Sequence, residues 1–565
     1  MSTDPGPPTA GRARSARARS ARARSARWAG LVGAVLLTGA GWLGGALPGP
    51  PPPGPVGTPA GWAAVGCWAA GTVLLVGAWW SLRAGAPSTG WAYRTAGLWL
   101  VPLLFAPPLA SRDIYSYACQ GWAYAAGHDP YTTGVAAAGC PWLDSVAPIW
   151  RDTPAPYGPF FLLLAAAATL GGGLVGVLVG LRVLAVVGVL LAARCLPGLA
   201  RSAGVPTRRA AWLALASPLV GVHLVAGAHN DAVLVGLLLA GLLVLVRRPG
   251  RPVPLLAAGV LLGLAVAVKA TALVVLPFAA LAAVGGRYTW RALLRDGGRL
   301  AAGVLATLVG ISLLTGLGLG WVAGLARSGD SEQWTSPPTA IGFVIDYGLE
   351  AAGAAAGAVP VIRFVAMLLL AAFLIGLWWR AWRSLRRLDS GGQRGEDRRR
   401  GEGGRPGESG RPGEGRQRGK NRRRGEGGRR GAVAARPDAD GGRSGAVPQR
   451  SSRDRATVPR DVTRARLALL GAGLALAATV VLAPVFHPWY ATWPLAVLAV
   501  VATRTTWFVL PAAVACFLTL PDGTTLARYT KAPGAVAMTV LVLAGLVWAT
   551  RRPRVRKGPF LTPSV

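Results

Sequence analysis

The chain alternates long apolar runs with short polar or arginine-rich joints. The runs fall near 29–47, 61–82, 92–110, 176–196, 210–227, 231–247, 253–268, 271–286, 300–320, 359–379, 465–486, 490–503, 506–520 and 534–550. Stretches of roughly 15–22 apolar residues are of membrane-crossing length, so the pattern predicts an all-α polytopic membrane protein with about 14 crossings, several of them tilted or paired half-spans. With the N-terminus inside, Arg83, Arg201, Arg208, Arg247, Arg287, Arg380 and Arg504 all fall on cytoplasmic joints, and the basic C-terminal tail also lands inside. The segment 157–172 breaks this parity, because counting it as a span would place Arg194, Arg201 and Arg208 outside. It is read as an interfacial or re-entrant helix on the outer face, opened by Tyr157-Gly158-Pro159.

Composition narrows the class. Only 15% of the 565 residues are charged and 52% are hydrophobic, where a soluble protein carries about 25% charged residues. The net charge of +37 resembles a nucleic-acid signature, but the arginines collect in the N-terminal tail, the joints, a central insert and the C-terminal tail. That distribution fits cytoplasmic retention and contact with anionic lipid, and no nucleic acid is expected as a partner. Residues 389–460 are low in complexity and nearly devoid of aliphatic side chains, so they are expected to be disordered. The expected organisation is a basic tail (1–28), a membrane domain (29–379) with an outer loop at 111–156, an Arg/Gly-rich cytoplasmic insert (380–464), further membrane helices (465–550) and a second basic tail (551–565). The first apolar run, preceded by basic residues and followed by further spans, is read as an uncleaved span.

The arginine-derived orientation gathers other polar groups on the outer side. His128, His223, His229 and His487 fall there, as do Asp113, Asp129, Asp144, Asp152, Asp231, Asp330, Glu332 and Asp346. Asp113 follows the run ending near Ala110; partial desolvation at the boundary raises a carboxyl toward the range of a useful general base, while Arg112 beside it offers a plain ion pair instead. Tyr115, Tyr117, Gln120, Trp122, Tyr124 and the turn Gly127-His128-Asp129-Pro130-Tyr131 follow. Their aromatics suit an interfacial belt and sugar stacking equally. His229-Asn230-Asp231 reads as a hairpin tip, either a simple turn or a site for hydroxyls or a divalent cation, although two such ligands are few for a metal. Lys269, between two half-length runs, either snorkels or faces a partner, and a lipid phosphate is a natural one. Arg182 and Arg363 are weaker candidates for the same role. Trp334-Thr335-Ser336-Pro337-Pro338-Thr339 and His487-Pro488-Trp489-Tyr490 are rigid hydroxyl- and aromatic-bearing turns on that face. Cys119 and Cys140 share the outer loop and are candidates for a disulfide, whereas Cys67, Cys195 and Cys516 look like packing residues.

Asp113-Ile114-Tyr115-Ser116-Tyr117 with the later Gly-His-Asp-Pro-Tyr, His229-Asn230-Asp231, Ser336-Pro337-Pro338-Thr339 and His487-Pro488-Trp489-Tyr490 together resemble the actinobacterial polyprenol-phosphomannose-dependent α-1,6-mannosyltransferases, C-type (GT-C) integral-membrane glycosyltransferases. The resemblance runs from about residue 92 to 550, outside the insert. It implies a GT-C-like fold in the plasma membrane, a polyprenyl-phosphate-mannose donor, a glycan or glycolipid acceptor on the outer face, and Asp113 as catalytic base of an inverting displacement. Arg112, Tyr115, Tyr117, Gln120, His128, Asp129, Tyr131, His229, Asn230, Asp231, Lys269, Trp334, Ser336, Thr339, His487, Trp489 and Tyr490 are then the candidates for substrate binding. These parts require no cofactor and leave room for a divalent cation. The rival class is a transporter or flippase of a lipid-linked saccharide, which would place its charge near the midplane rather than at the boundary. A related enzyme using another polyprenyl-phosphate sugar would need the same acid, cation and aromatics.

Overall fold

In a bilayer a backbone must satisfy its own N–H and C=O groups, and each apolar run named above folds as a helix or a bent pair of helices. The computed structural model describes residues 10–51, 57–327, 331–402 and 459–551; Asp330, the insert from 403 to 458 and the tail from 552 lie outside the described residues. The helices are α1 (Ala10–Gly44), α2 (Pro59–Ser81), α3 (Thr89–Leu104), α4 (Asp113–Ala125), α5 (Pro159–Thr169), α6 (Gly173–Ser202), α7 (Thr207–Leu215), α8 (Asp231–Arg247), α9 (Pro252–Val268), α10 (Leu276–Ala283), α11 (Trp290–Thr315), α12 (Gly320–Arg327), α13 (Pro337–Ala351), α14 (Ala358–Glu402), α15 (Arg460–Leu482), α16 (Thr492–Ala499), α17 (Thr506–Ala515) and α18 (Lys531–Arg551). Among the described residues no β-strand forms. The protein is an all-α polytopic membrane protein: among the described residues seven helices are long and apolar enough to cross a membrane, or eight if one bent pair counts as a span.

That pair shows how sequence sets the break. Pro218 lacks the N–H a continuing helix needs, so α7 stops at Leu215 and the chain resumes as a π-helical turn over Val220–Ala226, bent by 59°. Close helix contact is set by small residues. A Cβ on Gly188 of α6 would lie 2.4 Å from the Ala232 backbone of α8, so only glycine lets these two helices approach to backbone distance.

Three stretches depart from the expected organisation. Residues 113–125, read as loop, form α4, whose Ile114–Gly121 stretch is buried whole. Its polar side chains point into protein, so no alternation betrays the helix. Residues 337–351 form α13, started by prolines at its first positions. The chain divides into one unit of residues 1–389 with 460–565 and a second of 390–459. In the first, α14 continues past the expected boundary at 379 because Trp382 and Leu385 are buried, Trp382 packing at a tilt against Trp290 with ring centroids 4.8 Å apart. Of the second unit, residues through Glu402 are helical.

Candidate active site

Asp113 opens α4, its backbone N–H donating to the Ser111 hydroxyl at 3.0 Å. The preceding Ala110 has φ 61°, and Ala228, just before His229, has φ 48°. These are the left-handed non-glycine residues among those described, and each immediately precedes a segment that carries a polar group of the site. Such strain costs on the order of 1–3 kcal/mol and survives where the surroundings over-determine it.

The segments converge on a cavity of about 150 Å³. Asp113 and Trp150 line it on one side. Tyr157, Lys269 and Thr271 lie beside them, and His487, Trp489, Tyr490 and Trp493 complete the aromatic part. Thr479, Val480 and Ala483–Val485, from the end of α15 and the turn after it, supply a mostly apolar wall. The Trp150 indole donates to Asp113 Oδ1 at 3.2 Å, and His229 Nε2 lies 3.7 Å from Asp113 Oδ2. Burial pushes the Asp113 carboxyl up to about 6, against the opposing pull of the Lys269 ammonium and the Trp150 hydrogen bond. Burial likewise holds the His229 imidazole down at about 3 and that of His487 at about 4, so both are neutral near pH 7.

Lys269 meets a protein partner. Its Nζ donates to Asp231 at 3.0 and 3.3 Å, and the Trp493 indole donates to the same carboxylate at 2.6 Å. The ammonium also lies 4.6 Å from the Tyr490 ring and 5.1 Å from that of Trp493, an aromatic cage that suits a cation. The close approach of two backbones sets this up: the Gly158 N–H donates to the Val268 carbonyl at 3.2 Å, and a Cβ on Gly158 would sit 2.2 Å from the Ala267 oxygen.

Several residues expected to touch substrate instead build the frame. Arg112 turns from Asp113 and donates to the carbonyls of Gly49 and Ser145, at 2.9 and 3.1 Å. Tyr115 is buried, its hydroxyl on the Ala46 carbonyl at 2.6 Å. Tyr117 packs edge-on against Tyr157 and Phe161, and Gln120 is buried outside the cavity lining. His128 and Asp129 are exposed; Asp129 accepts the Tyr131 N–H at 2.8 Å, and the Tyr131 hydroxyl holds the Tyr157 carbonyl at 2.9 Å. His229, Asn230 and Asp231 are fully buried rather than a solvated tip. Ser336 and Thr339 donate to the carbonyls of Ala483 and Pro484, at 2.8 and 2.7 Å, and Trp334 donates to Thr530 at 3.2 Å. The motif therefore clamps the segment leading to His487. Arg363 donates to Thr339 and the Ser331 carbonyl, and Arg182 caps the carbonyls of Leu104, Ala106 and Ala226, so neither offers a free cation to the cavity.

Cys119 and Cys140 are joined in a disulfide, which ties α4 to the loop carrying Trp150. Among the described residues no group of three His, Cys, Asp or Glu side chains is arranged to hold a metal ion. Asp231 is already bound by Lys269 and Trp493, and His229 Nδ1 lies 2.8 Å from the His223 carbonyl. Asp231 is thus engaged, while His229 keeps Nε2 without a hydrogen-bond partner. Trp150, Tyr157, Thr271 and Trp493 were not singled out from sequence as cavity residues. Trp493 carried the clearest signal, one helical turn beyond Trp489.

Comparison with known proteins places these elements in context. A family model described as alpha-(1->6)-mannopyranosyltransferase, N-terminal domain, matches residues 27–285, and a second, the MptB C-terminal domain, matches 460–548. The alpha-(1->6)-mannopyranosyltransferase A of Corynebacterium glutamicum is 30% identical over 364 residues, 57% of this chain and 71% of the relative. The protein of the same name from Mycobacterium tuberculosis is 36% identical over 307 residues, 51% of this chain and 56% of the relative. Alpha-(1->6)-mannopyranosyltransferase B of C. glutamicum is 31% identical over 324 residues, 53% and 54%. The chain spans about half the length of the mycobacterial relatives it matches. No solved structure matches.

Proposed function

We propose, from the premise that the chain belongs to the alpha-(1->6)-mannopyranosyltransferase family, that it moves mannose from polyprenyl-phosphate-mannose to a glycan or glycolipid acceptor, forming an α-1,6 linkage of a lipomannan-type glycan. The reaction takes place at the outer face of the plasma membrane, with both termini cytoplasmic. The observation that carries this reading is Asp113: a carboxyl raised to about 6 on the wall of a cavity that also exposes Lys269 and a set of aromatic rings.

The chemistry follows from those groups. The Asp113 carboxylate takes the proton of the acceptor hydroxyl as that oxygen bonds to the anomeric carbon. The bond from that carbon to the phosphate oxygen breaks, and polyprenyl phosphate leaves with the electron pair. One displacement inverts the centre, so a β-linked mannosyl phosphate yields an α-mannoside. Lys269, caged but reachable, stabilises charge growing on the leaving phosphate. The cavity-lining rings of Trp150, Tyr157 and Trp489 suit contact with the sugar, and the apolar wall near Val480 suits an isoprenoid chain. The disulfide supports an oxidising, outer location.

The test is transfer of label from radiolabelled polyprenyl-phosphate-mannose in membranes containing wild type or Asp113→Asn. The expected result is an α-mannosylated product with wild type alone. Equal transfer by both overturns the assignment of Asp113. Retention of transfer only with another polyprenyl-phosphate sugar overturns that of mannose.

A further inference from the structure

The geometry points to His229 as a positioning residue that stabilises Asp113 in its protonated form, accepting a hydrogen bond that exists only once the acceptor's proton has been taken. This rests on the reading of Asp113 as the base.

The argument begins with tautomers. His229 Nδ1 lies 2.8 Å from the His223 carbonyl oxygen. A carbonyl only accepts, so Nδ1 carries the hydrogen. The ring is fully buried and neutral, hence Nε2 presents a lone pair. That nitrogen has no hydrogen-bond partner and points at Asp113 Oδ2, 3.7 Å away. A buried polar atom without a partner carries a desolvation penalty, tolerated where a ligand or a later state satisfies it. In the resting carboxylate two acceptors face each other and the contact stays long. After the acceptor hydroxyl has delivered its proton to Oδ2, that oxygen becomes a donor and Nε2 accepts from it once the gap closes. The interaction strengthens along the reaction coordinate, the kind that raises kcat rather than ground-state binding.

The surroundings hold the ring in place. The His229 ring lies 4.1 Å from Trp489, which stacks on His487 at 4.6 Å. The strained Ala228 fixes the direction from which the residue enters. Other titratable or charged groups face the pair from several elements. Lys269 after α9 and Asp231 on α8 act on Asp113, and Asp113 in turn acts on Tyr117 of α4, Tyr157 before α5 and Tyr490 after α15. Lys269 and His487 act on His229. None of these offers a hydrogen-bond acceptor recorded at Oδ2.

Two substitutions separate the ring's two nitrogens. His229→Asn places an amide at the position of Nδ1, keeping the bond to the His223 carbonyl and leaving nothing at Nε2. His229→Gln places its oxygen near Nε2. Mannosyl transfer by wild type and both variants is measured from pH 4.5 to 8.5. The expected result for His229→Asn is a kcat about tenfold lower, the loss of one hydrogen bond, with KM within about twofold of wild type. Its pH midpoint moves to more acid values because the protonated base has lost its acceptor, and His229→Gln restores both rate and midpoint. A midpoint displaced toward alkali would mean that His229 is an imidazolium pairing with the carboxylate, and an unmoved midpoint that it is only a packing residue; either overturns the inference. Wild type without transfer activity would overturn the functional reading itself, whereas active wild type with an unmoved variant overturns this inference alone.

Discussion

Replacing Lys269 by Met isolates the charge pair at the centre of the site. Asp231 has no solvent exposure, and its carboxylate is bound by the ammonium at 3.0 Å and the Trp493 indole at 2.6 Å. Losing the ammonium leaves a buried charge with one neutral donor, a change worth about 3–5 kcal/mol. Removing both charges with Asp231→Asn and Lys269→Met leaves an amide that still accepts from Trp493, and the double variant should return to within about 1 kcal/mol of wild type. Unfolding of the detergent-solubilised protein, followed by tryptophan fluorescence, reads the stability of all four forms. Mannosyl transfer on the same samples reads the chemistry, and there the double variant should stay inactive because the leaving phosphate has lost its cation. The pH midpoint of any residual activity in Lys269→Met should move above about 6, since the ammonium is the strongest neighbour favouring the Asp113 carboxylate. Equal destabilisation of Lys269→Met and the double variant would refute the pairing argument. Full transfer by the double variant would refute the phosphate role.

Three further outcomes are expected. Wild-type transfer should rise with pH through a midpoint near 6 and level off above it, because the base works as its carboxylate and burial raises its pKa; a midpoint near 4, read from the initial-rate profile, would contradict the burial. Gly158→Ala forces a Cβ to 2.2 Å from the Ala267 oxygen, and should cost about 1–3 kcal/mol in unfolding measurements. It should also reduce transfer by about 100-fold, as Tyr157 and Lys269 lose their register. Cys119→Ser with Cys140→Ser should lower stability by about 3 kcal/mol in the chain-entropy account; the sequence separation of the pair is 21. Transfer at low temperature should fall only modestly, and an unchanged melting curve would deny the bond its structural role.

Periodicity carried the helices of the membrane unit because each apolar run is long enough to declare itself. It singled out Asp113 at the end of such a run but left an ion pair with Arg112 open as the plainer explanation; in the structure Arg112 bonds the carbonyls of Gly49 and Ser145, and Asp113 lines the cavity. It failed at α4, where Ser116, Tyr117 and Gln120 are polar yet buried, so the pattern reads as loop while the packing is interior. It failed again at Ser336 and Thr339: hydroxyls bonded to carbonyls almost 150 positions away look in sequence like hydroxyls waiting for a ligand. The partner of Lys269 was hidden for the same reason, because Asp231 lies 38 residues upstream and meets it only through the packing of α8 on α9.

The bond from Trp493 to Asp231 spans 262 positions, with the whole arginine-rich insert between its ends. Closing a loop of that kind depends only weakly on its length, each doubling costing about 0.6 kcal/mol. On that scaling, variants that lengthen or shorten the insert are expected to keep the Asp231–Trp493 contact. The same weak dependence makes the insert the place to cut the gene: two polypeptides meeting there, co-expressed in one membrane, have in Asp231, Lys269 and Trp493 the means to find each other.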